Sequence, residues 1–269
     1  MPKIDISGRP INYVIAGSGP ETIVFSHGYL MRHQMFAAQI EALSDTHRVI
    51  AFDHRGHGES GLCQEPFGMY DLVDDAENLI DALCNGPVHF AGMSTGGYVG
   101  MRLLLRRPDL FKSLILMDTG ANAESAASLK QYNQLLFFVR IIGIRPLLGK
   151  VLPLLFGKAF RQDPAQRDAI KQMKTYISGL DRTSIRQFGR AIFDRDDVQN
   201  ALRTLTNPPA TLIMVGAEDI PTPPATAKAM HEAIKGSELI EVPKAGHTSP
   251  LESPVFVTEA IKRFLGHQT

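Results

Sequence analysis

Ser94 lies at the centre of Gly92-Met93-Ser94-Thr95-Gly96. A β-forming run, residues 88–93, enters this stretch and a helix-forming run leaves it. A serine between small residues at a strand-to-helix junction can hold a sharply turned backbone. Side chains at 92 or 96 would collide with the turn around Ser94. Such a turn lifts the hydroxyl clear of the sheet and aims a helix N-terminus at whatever the hydroxyl attacks. The expected chemistry is nucleophilic.

A serine hydroxyl near neutral pH needs a base to take its proton. Histidine, with an ordinary pKa near ~6.5, is neutral often enough to accept it. Of nine histidines, His247 has the right setting. It follows the strand-like 239–242 in Lys244-Ala245-Gly246-His247-Thr248-Ser249-Pro250, and Gly246 would allow a sharp bend. His33 and His231 fall on helical surfaces, His267 lies in the C-terminal stretch, and His89 sits inside the strand that leads to Ser94. An acid must then fix the imidazole tautomer. Val215-Gly216-Ala217-Glu218-Asp219 ends another strand and offers Asp219. Asp118, closing the strand before it, is the rival. Oxyanion donors are expected from the backbone N–H groups of Tyr29, after the His27-Gly28 bend, and of Thr95. In Asp53-His54-Arg55-Gly56-His57-Gly58-Glu59-Ser60 no third ligand is spaced with the two histidines. A hydrogen-bonded structural turn is expected there, with no metal and no cofactor.

The elements that must position these residues alternate along the chain. Strands are expected at 3–6, 11–15, 22–26, 48–53, 88–93, 113–118, 210–215 and 238–242. Helices are expected at 33–44, 70–84, 95–107, 224–235 and 254–265. Near-continuous apolar strands such as Leu114-Ile115-Leu116-Met117 suit a parallel sheet covered on both faces. The first two runs, parted by Gly8-Arg9-Pro10, favour an antiparallel hairpin. Between about 120 and 208 the pattern is wholly helical, as expected of an insertion between two strands. The fold class is therefore α/β: a mostly parallel eight-stranded sheet, helices on both faces, and a helical cap. The division is 1–120 with 208–269 as core and 121–207 as cap. Ligands of open parallel sheets sit at the strands' carboxyl ends, where such a cap would supply an apolar pocket. From Phe137 to Gln162 the cap carries Arg140, Arg145, Lys150, Lys158 and Arg161 without an acid. That is either a solvated basic face or a contact for an anionic substrate or membrane surface.

Taken in order, these motifs resemble the α/β-hydrolase fold superfamily, in its serine-nucleophile branch. The resemblance rests on His27-Gly28, Asp53–Ser60, Gly92–Gly97, Gly216–Asp219, Gly246-His247, Glu252-Ser253-Pro254 and Phe264-Leu265. It implies nucleophile Ser94, base His247, acid Asp219 and an oxyanion hole from the Tyr29 and Thr95 amides. The implied activity is cofactor-independent cleavage of a carboxylic ester or lactone with an apolar portion, through an acyl-enzyme. Dehalogenases and epoxide hydrolases of this fold carry Asp at the nucleophile position, and this chain has no tryptophan for halide. C–C hydrolases usually have an aromatic residue after the histidine, where this chain has Thr248. C–C hydrolysis of a diketone and a non-enzymatic ligand receptor are the alternatives.

Bulk composition narrows the partners. Lys plus Arg and Asp plus Glu number 28 each, so no global field attracts nucleic acid. No apolar run reaches the ~18 residues of a membrane span. Met1-Pro2-Lys3 runs straight into a strand-like segment without an apolar leader, so a cytoplasmic protein is expected. Cys63 and Cys84 suggest neither a disulfide framework nor a metal site.

Overall fold

The computed structural model describes residues 2–267. Its chain opens as a hairpin. β1 (Lys3–Ile6) and β2 (Arg9–Ala16) pair antiparallel with Ile6 opposite Arg9, leaving Ser7-Gly8 as a two-residue turn. Both residues have positive φ, 53° and 78°. That is the primed turn whose twist matches the strands, so Gly8 is the turn former and Arg9-Pro10 already belong to β2. β2 then lies antiparallel on β4 (Arg48–Phe52). From there the sheet is parallel: β4, β3 (Thr22–Ser26), β5 (Val88–Met93), β6 (Phe111–Met117), β7 (Ala210–Gly216) and β8 (Glu238–Val242). The eight-stranded, mostly parallel sheet read from the sequence is the one observed.

Both faces are covered, so alternate strand residues point into two different cores. On one face Val24, Phe90, Leu114 and Leu116 pack under α2 (Met69–Leu83) and α3 (Thr95–Arg106), and the same core takes in α10 (Pro224–Ala233). On the other, Phe25, Ala91, Ile115 and Met117 meet α1 (Ala37–Leu43) and α12 (Pro254–Gly266). Phe25 is fully buried, its ring 4.8 Å from that of Phe36; truncating it to alanine should cost about 3–5 kcal/mol. The helix expected over 33–44 is broken instead. His33–Phe36 is a 3₁₀ turn and α1 starts only at Ala37. Asp53 explains the break: one carboxylate oxygen accepts both the backbone N–H and the Nδ1–H of His33, at 2.8 and 2.9 Å.

Between β6 and β7 the described chain is helical, with α4 (Ala126–Ile142), α5 (Leu148–Leu155), α6 (Lys158–Gln162), α7 (Arg167–Gly179), α8 (Arg182–Phe193) and α9 (Gln199–Arg203). Inward residues of this segment join both cores, Phe188 and Ile192 one, Val139, Val151 and Ile185 the other. A short α11 (Ser249–Glu252) precedes α12. No helix among the described residues is long and apolar enough to cross a membrane. Since β4 and β5 flank β3 on opposite sides, the chain leaves the sheet centre in two directions. The crevice this opens lies at the carboxyl ends of β3 and β5.

Candidate active site

Ser94 is the residue between β5 and α3, and its backbone is strained: φ is 49° and ψ −109°. A non-glycine residue in that region persists only where its surroundings over-determine it. Here the Ser94 N–H donates to Met117 O at 2.8 Å, and its carbonyl accepts from Tyr98 N–H and from Thr119 Oγ1–H. The flanking glycines are required for space. A Cβ on Gly96 would lie 1.9 Å from Ser26 O, and one on Gly92 2.3 Å from the Gly96 carbonyl. The turn is clamped between β3 and β6.

Two further side chains reach Ser94 from distant loops. The Ser94 hydroxyl and His247 Nε2 are 2.9 Å apart, and His247 Nδ1 is 3.0 and 2.9 Å from the two Asp219 oxygens. A carboxylate only accepts, so Nδ1 carries the proton and Nε2 is left to accept from the serine. Asp219 is held in turn by Thr222, whose N–H and Oγ1–H donate to its two oxygens at 2.9 and 2.8 Å. Burial alone would lower the His247 pKa. The Asp219 charge and hydrogen bond overcome it, aided by Asp118 and Glu252, and the net shift is upward. All three residues are buried.

Asp118 does something else. It is fully buried, with φ 47°, and accepts the Gly216 N–H at 2.9 Å and the Ser249 N–H at 2.8 Å. It thus ties the end of β6 to the end of β7 and to the start of α11. Burial, reinforced by the Asp219 charge, pushes its carboxyl up to about 7. Glu252 is the second fastener. One oxygen accepts the N–H groups of Gly246 and Gly157, at 3.0 and 2.8 Å. The other accepts the N–H and hydroxyl of Thr248, at 3.0 and 2.9 Å. Both neighbours of His247 are therefore fixed by one carboxylate. Gly246 serves close packing and not the expected bend. A Cβ there would sit 2.2 Å from Gly157 N, while the left-handed residue of the loop is Lys244, φ 60°.

The turn after β3 follows the same logic. A Cβ on Gly28 would press on the flexible end of Met93, 2.5 Å from Sδ, and come within 3.2 Å of Ser94 Cβ, while the positive φ, 62°, falls on Leu30. Leu30 N–H donates to His57 Nε2 at 3.1 Å. His54 N–H donates to His27 Nε2 at 2.9 Å, so His27 carries its proton on Nδ1 and donates it to Gly28 O at 2.7 Å. Burial lowers the pKa of His27 to about 4 and of His57 to about 3, and drives His54 well below its ordinary value. Neutral imidazoles thus prop this turn. No bond from the Tyr29 or Thr95 N–H is found among the described residues. The loop Asp53–Ser60 is the bonded turn expected. Asp53 accepts from Asn12, His33 and Glu59, and the Ser60 hydroxyl donates to Asp53 O. His33 is not the surface residue expected, since Asp53 holds it in the interior.

A cavity of about 800 Å³, its open mouth included, lies over Ser94 and His247. Its walls are mainly apolar and come from the helical segment: Leu135 and Val139 of α4, Leu154 and Leu155 of α5, Ile192 and Phe193 of α8. One charged side chain enters it. Glu124 is bound by Arg195 at 2.9 Å, whose guanidinium lies 3.9 Å over the Tyr98 ring. Sequence reading missed this pair, and residues 71 apart carry no signal of it. Thr222 was also missed, although Asp-x-x-Thr is the spacing at which a carboxylate caps its own turn. Histidines and an acid do gather elsewhere. Glu21, His47 and His89 bring ligating atoms within 4.8 Å of one another at the opposite ends of the strands. There His89 bonds Ser113 and Glu21, and Lys112 also pairs with Glu21. Cys63 and Cys84 are both free thiols.

Residues 21–254 match the profile of the family described as alpha/beta hydrolase fold. The chain belongs to that family. It is similar to the 3-oxoadipate enol-lactonase 2 of Acinetobacter baylyi, 27% identical over 253 residues, covering 94% of this chain and 91% of that one. Among solved structures it resembles a thermophilic esterase from Thermogutta terrifontis, TM-score 0.91, 28% identical, covering 100% of this chain and 99% of that one. The enol-lactonase of Burkholderia xenovorans is similar too, TM-score 0.90, 26% identical, covering 98% and 100%. All three names are of hydrolases, and each alignment runs through the segment that carries Ser94, Asp219 and His247.

Proposed function

We propose that the protein is a cofactor-independent serine hydrolase that cleaves carboxylic esters or lactones with an apolar acyl portion. The observation that carries this reading is the unbroken chain from Asp219 through His247 to Ser94, with each link 3.0 Å or less, at the floor of an apolar cavity.

His247 Nε2 takes the Ser94 proton as Oγ attacks the substrate carbonyl. Charge develops on the carbonyl oxygen and is met by the N–H groups of Tyr29 and Thr95, donors already in place before the reaction. Asp219 stabilises the imidazolium without itself taking the proton. His247 then protonates the departing alkoxide and the C–O bond breaks, leaving an acyl group on Ser94. Water, deprotonated by the same imidazole, attacks that ester, and the acid leaves as Ser94 regains its proton. One ester and one water become one acid and one alcohol. Residues 121–207 act as the cap: α4, α5 and α8 shape the acyl side, and Glu124 gives the cavity one polar end. The relatives' names, enol-lactonase and esterase, agree with this substrate class.

The test is a fluorophosphonate label with the modified peptide mapped. The account expects one adduct per chain, on Ser94, and parallel loss of turnover on short-chain aryl esters. Labelling elsewhere with turnover intact would contradict it.

A further inference from the structure

α4 is apolar on two sides. Tyr132, Leu135, Leu136 and Val139 face the cavity over Ser94. Phe137, Phe138, Ile141 and Ile142 face away from it, exposed by 56, 49, 55 and 47%. Those four stand at the i, i+1, i+4, i+5 positions of one helical stripe, and water is a costly neighbour for it. The stripe continues off the helix: Phe138 shares a groove with Leu147 and Ile220, and Ile220 is 59% exposed. That groove and the cavity have Tyr132, Leu135, Leu154 and Pro221 in common, so the outer apolar surface and the reacting serine are served by one set of walls.

The stretch of sequence that carries this stripe is one-signed in charge. Residues 125–162 contain Lys130, Arg140, Arg145, Lys150, Lys158 and Arg161 and no acid. None of the six pairs with an acid among the described residues, whereas Arg55, Arg102, Arg106, Arg107 and Arg195 all do. α8 adds to the field: Arg186 feels Arg190 and Arg140 as like charges, after burial the main causes of its lowered pKa. A chain of zero formal net charge thus carries unpaired cations in the segment of its exposed apolar stripe, with Arg140 on the same helix and Lys150 lining the groove beside Phe138. Apolar residues rimmed by Lys and Arg are what an anionic lipid interface binds. A second copy of the chain is disfavoured, because a two-fold contact sets each cation against the same cations of its mate.

We propose that this face docks the protein on an anionic lipid surface, and that its substrates include acyl esters drawn from that surface into the cavity. The docking stands by itself; the chemistry rests on the ester-hydrolase reading above. In this arrangement the stripe of α4 enters the boundary between headgroups and acyl chains, the cations meet lipid phosphates, and the groove gives an acyl chain an apolar path.

The test is co-sedimentation of the full chain with vesicles of phosphatidylcholine alone and of phosphatidylcholine and phosphatidylglycerol in equal parts. Alongside it, turnover is measured on a water-soluble short-chain ester and on a long-chain ester carried in the same vesicles. The wild-type protein should bind the mixed vesicles at low salt and release them at high salt. Replacing both Phe137→Ser and Ile141→Ser should weaken binding on the order of fiftyfold. Replacing both Arg140→Gln and Arg145→Gln should weaken it roughly thirtyfold, about fivefold per cation. Both variants should keep turnover on the soluble ester and lose it on the vesicle-borne ester in proportion. Three results would overturn the docking: no binding to anionic vesicles, binding indifferent to both double substitutions, or a concentration-dependent dimer that the Ser pair dissociates while vesicles bind nothing. Vesicle binding as expected, with neither ester turned over, would support the docking and overturn the chemistry.

Discussion

The loops at the carboxyl ends of the strands and the helices laid over them are built on opposite terms. In the loops nearly every position is over-determined. Gly92 and Gly96 have no room for a methyl group, Ser94 is held at φ 49° from both sides, and Asp118 and Glu252 each fasten two pieces of backbone. The helical segment is held mostly by apolar faces that tolerate substitution of similar volume, with polar ties such as that of Glu252 to Gly157, and one of its faces is turned outward. Chemistry that needs atoms placed within a few tenths of an ångström lives in the first region. On the proposed reading, choice of what enters, which varies by smaller energies, belongs to the second. A mutation in the first region should abolish activity, and one in the second should only redirect it.

The largest effects are expected at the loops. Asp219→Asn should lower turnover by roughly 10⁴ with the fold intact, by putting an amide donor where a carboxylate oxygen accepts and so favouring the wrong imidazole tautomer. Asp118→Asn should cost far less, since no hydrogen bond joins it to His247; equal losses would erase the distinction between the two acids. Next comes the frame under the loops. Arg55 and Asp75 form a buried two-pronged pair, both contacts 2.6 Å. Asp75→Ala leaves the guanidinium only the half-exposed Asp71 carboxylate, 3.6 Å away, and should cost about 3 kcal/mol by denaturant unfolding. Effects in the helices should be smaller and selective. Leu135→Ala should change the ratio of kcat/KM between long and short acyl esters about tenfold, while turnover on the preferred ester and the thermal midpoint stay near wild type. Smallest is the pH effect. His247 works as a base only when neutral, and its pKa is raised above 6.5. Activity should therefore fall as pH drops through a midpoint above 6.5, and Asp219→Asn should move that midpoint down. A midpoint below 6.5 in the wild type would mean that burial outweighs the Asp219 charge.

Much of this was legible in the residues. All eight strands stand within two residues of their expected ends, although Arg9-Pro10 belong to β2 and not to the turn, because a buried parallel sheet demands β-branched and aromatic residues in short uninterrupted runs. The loop segments were readable for a related reason: glycine, serine, histidine and aspartate at strand ends are not needed for packing, so their presence calls for another account. What was not legible is what depends on three-dimensional proximity alone. The spacing could not say why Gly246 is glycine, since the atom it makes room for, Gly157 N, is far away in sequence. Nor could it place Glu124 against Arg195, or show His33 inside and not on the surface. Within α4 the run Leu135-Leu136-Phe137-Phe138 reads as uniformly apolar, and only the packing on α8 decides which half faces water.

The central claim is that one alcohol on this chain becomes reactive because two remote side chains converge on it. Steady-state turnover of a soluble aryl ester by Ser94→Ala, beside the wild-type protein at the same concentration, tests that most directly. The account predicts a fall of roughly 10⁶ with an unchanged thermal midpoint. Undiminished turnover by a folded Ser94→Ala protein would contradict it.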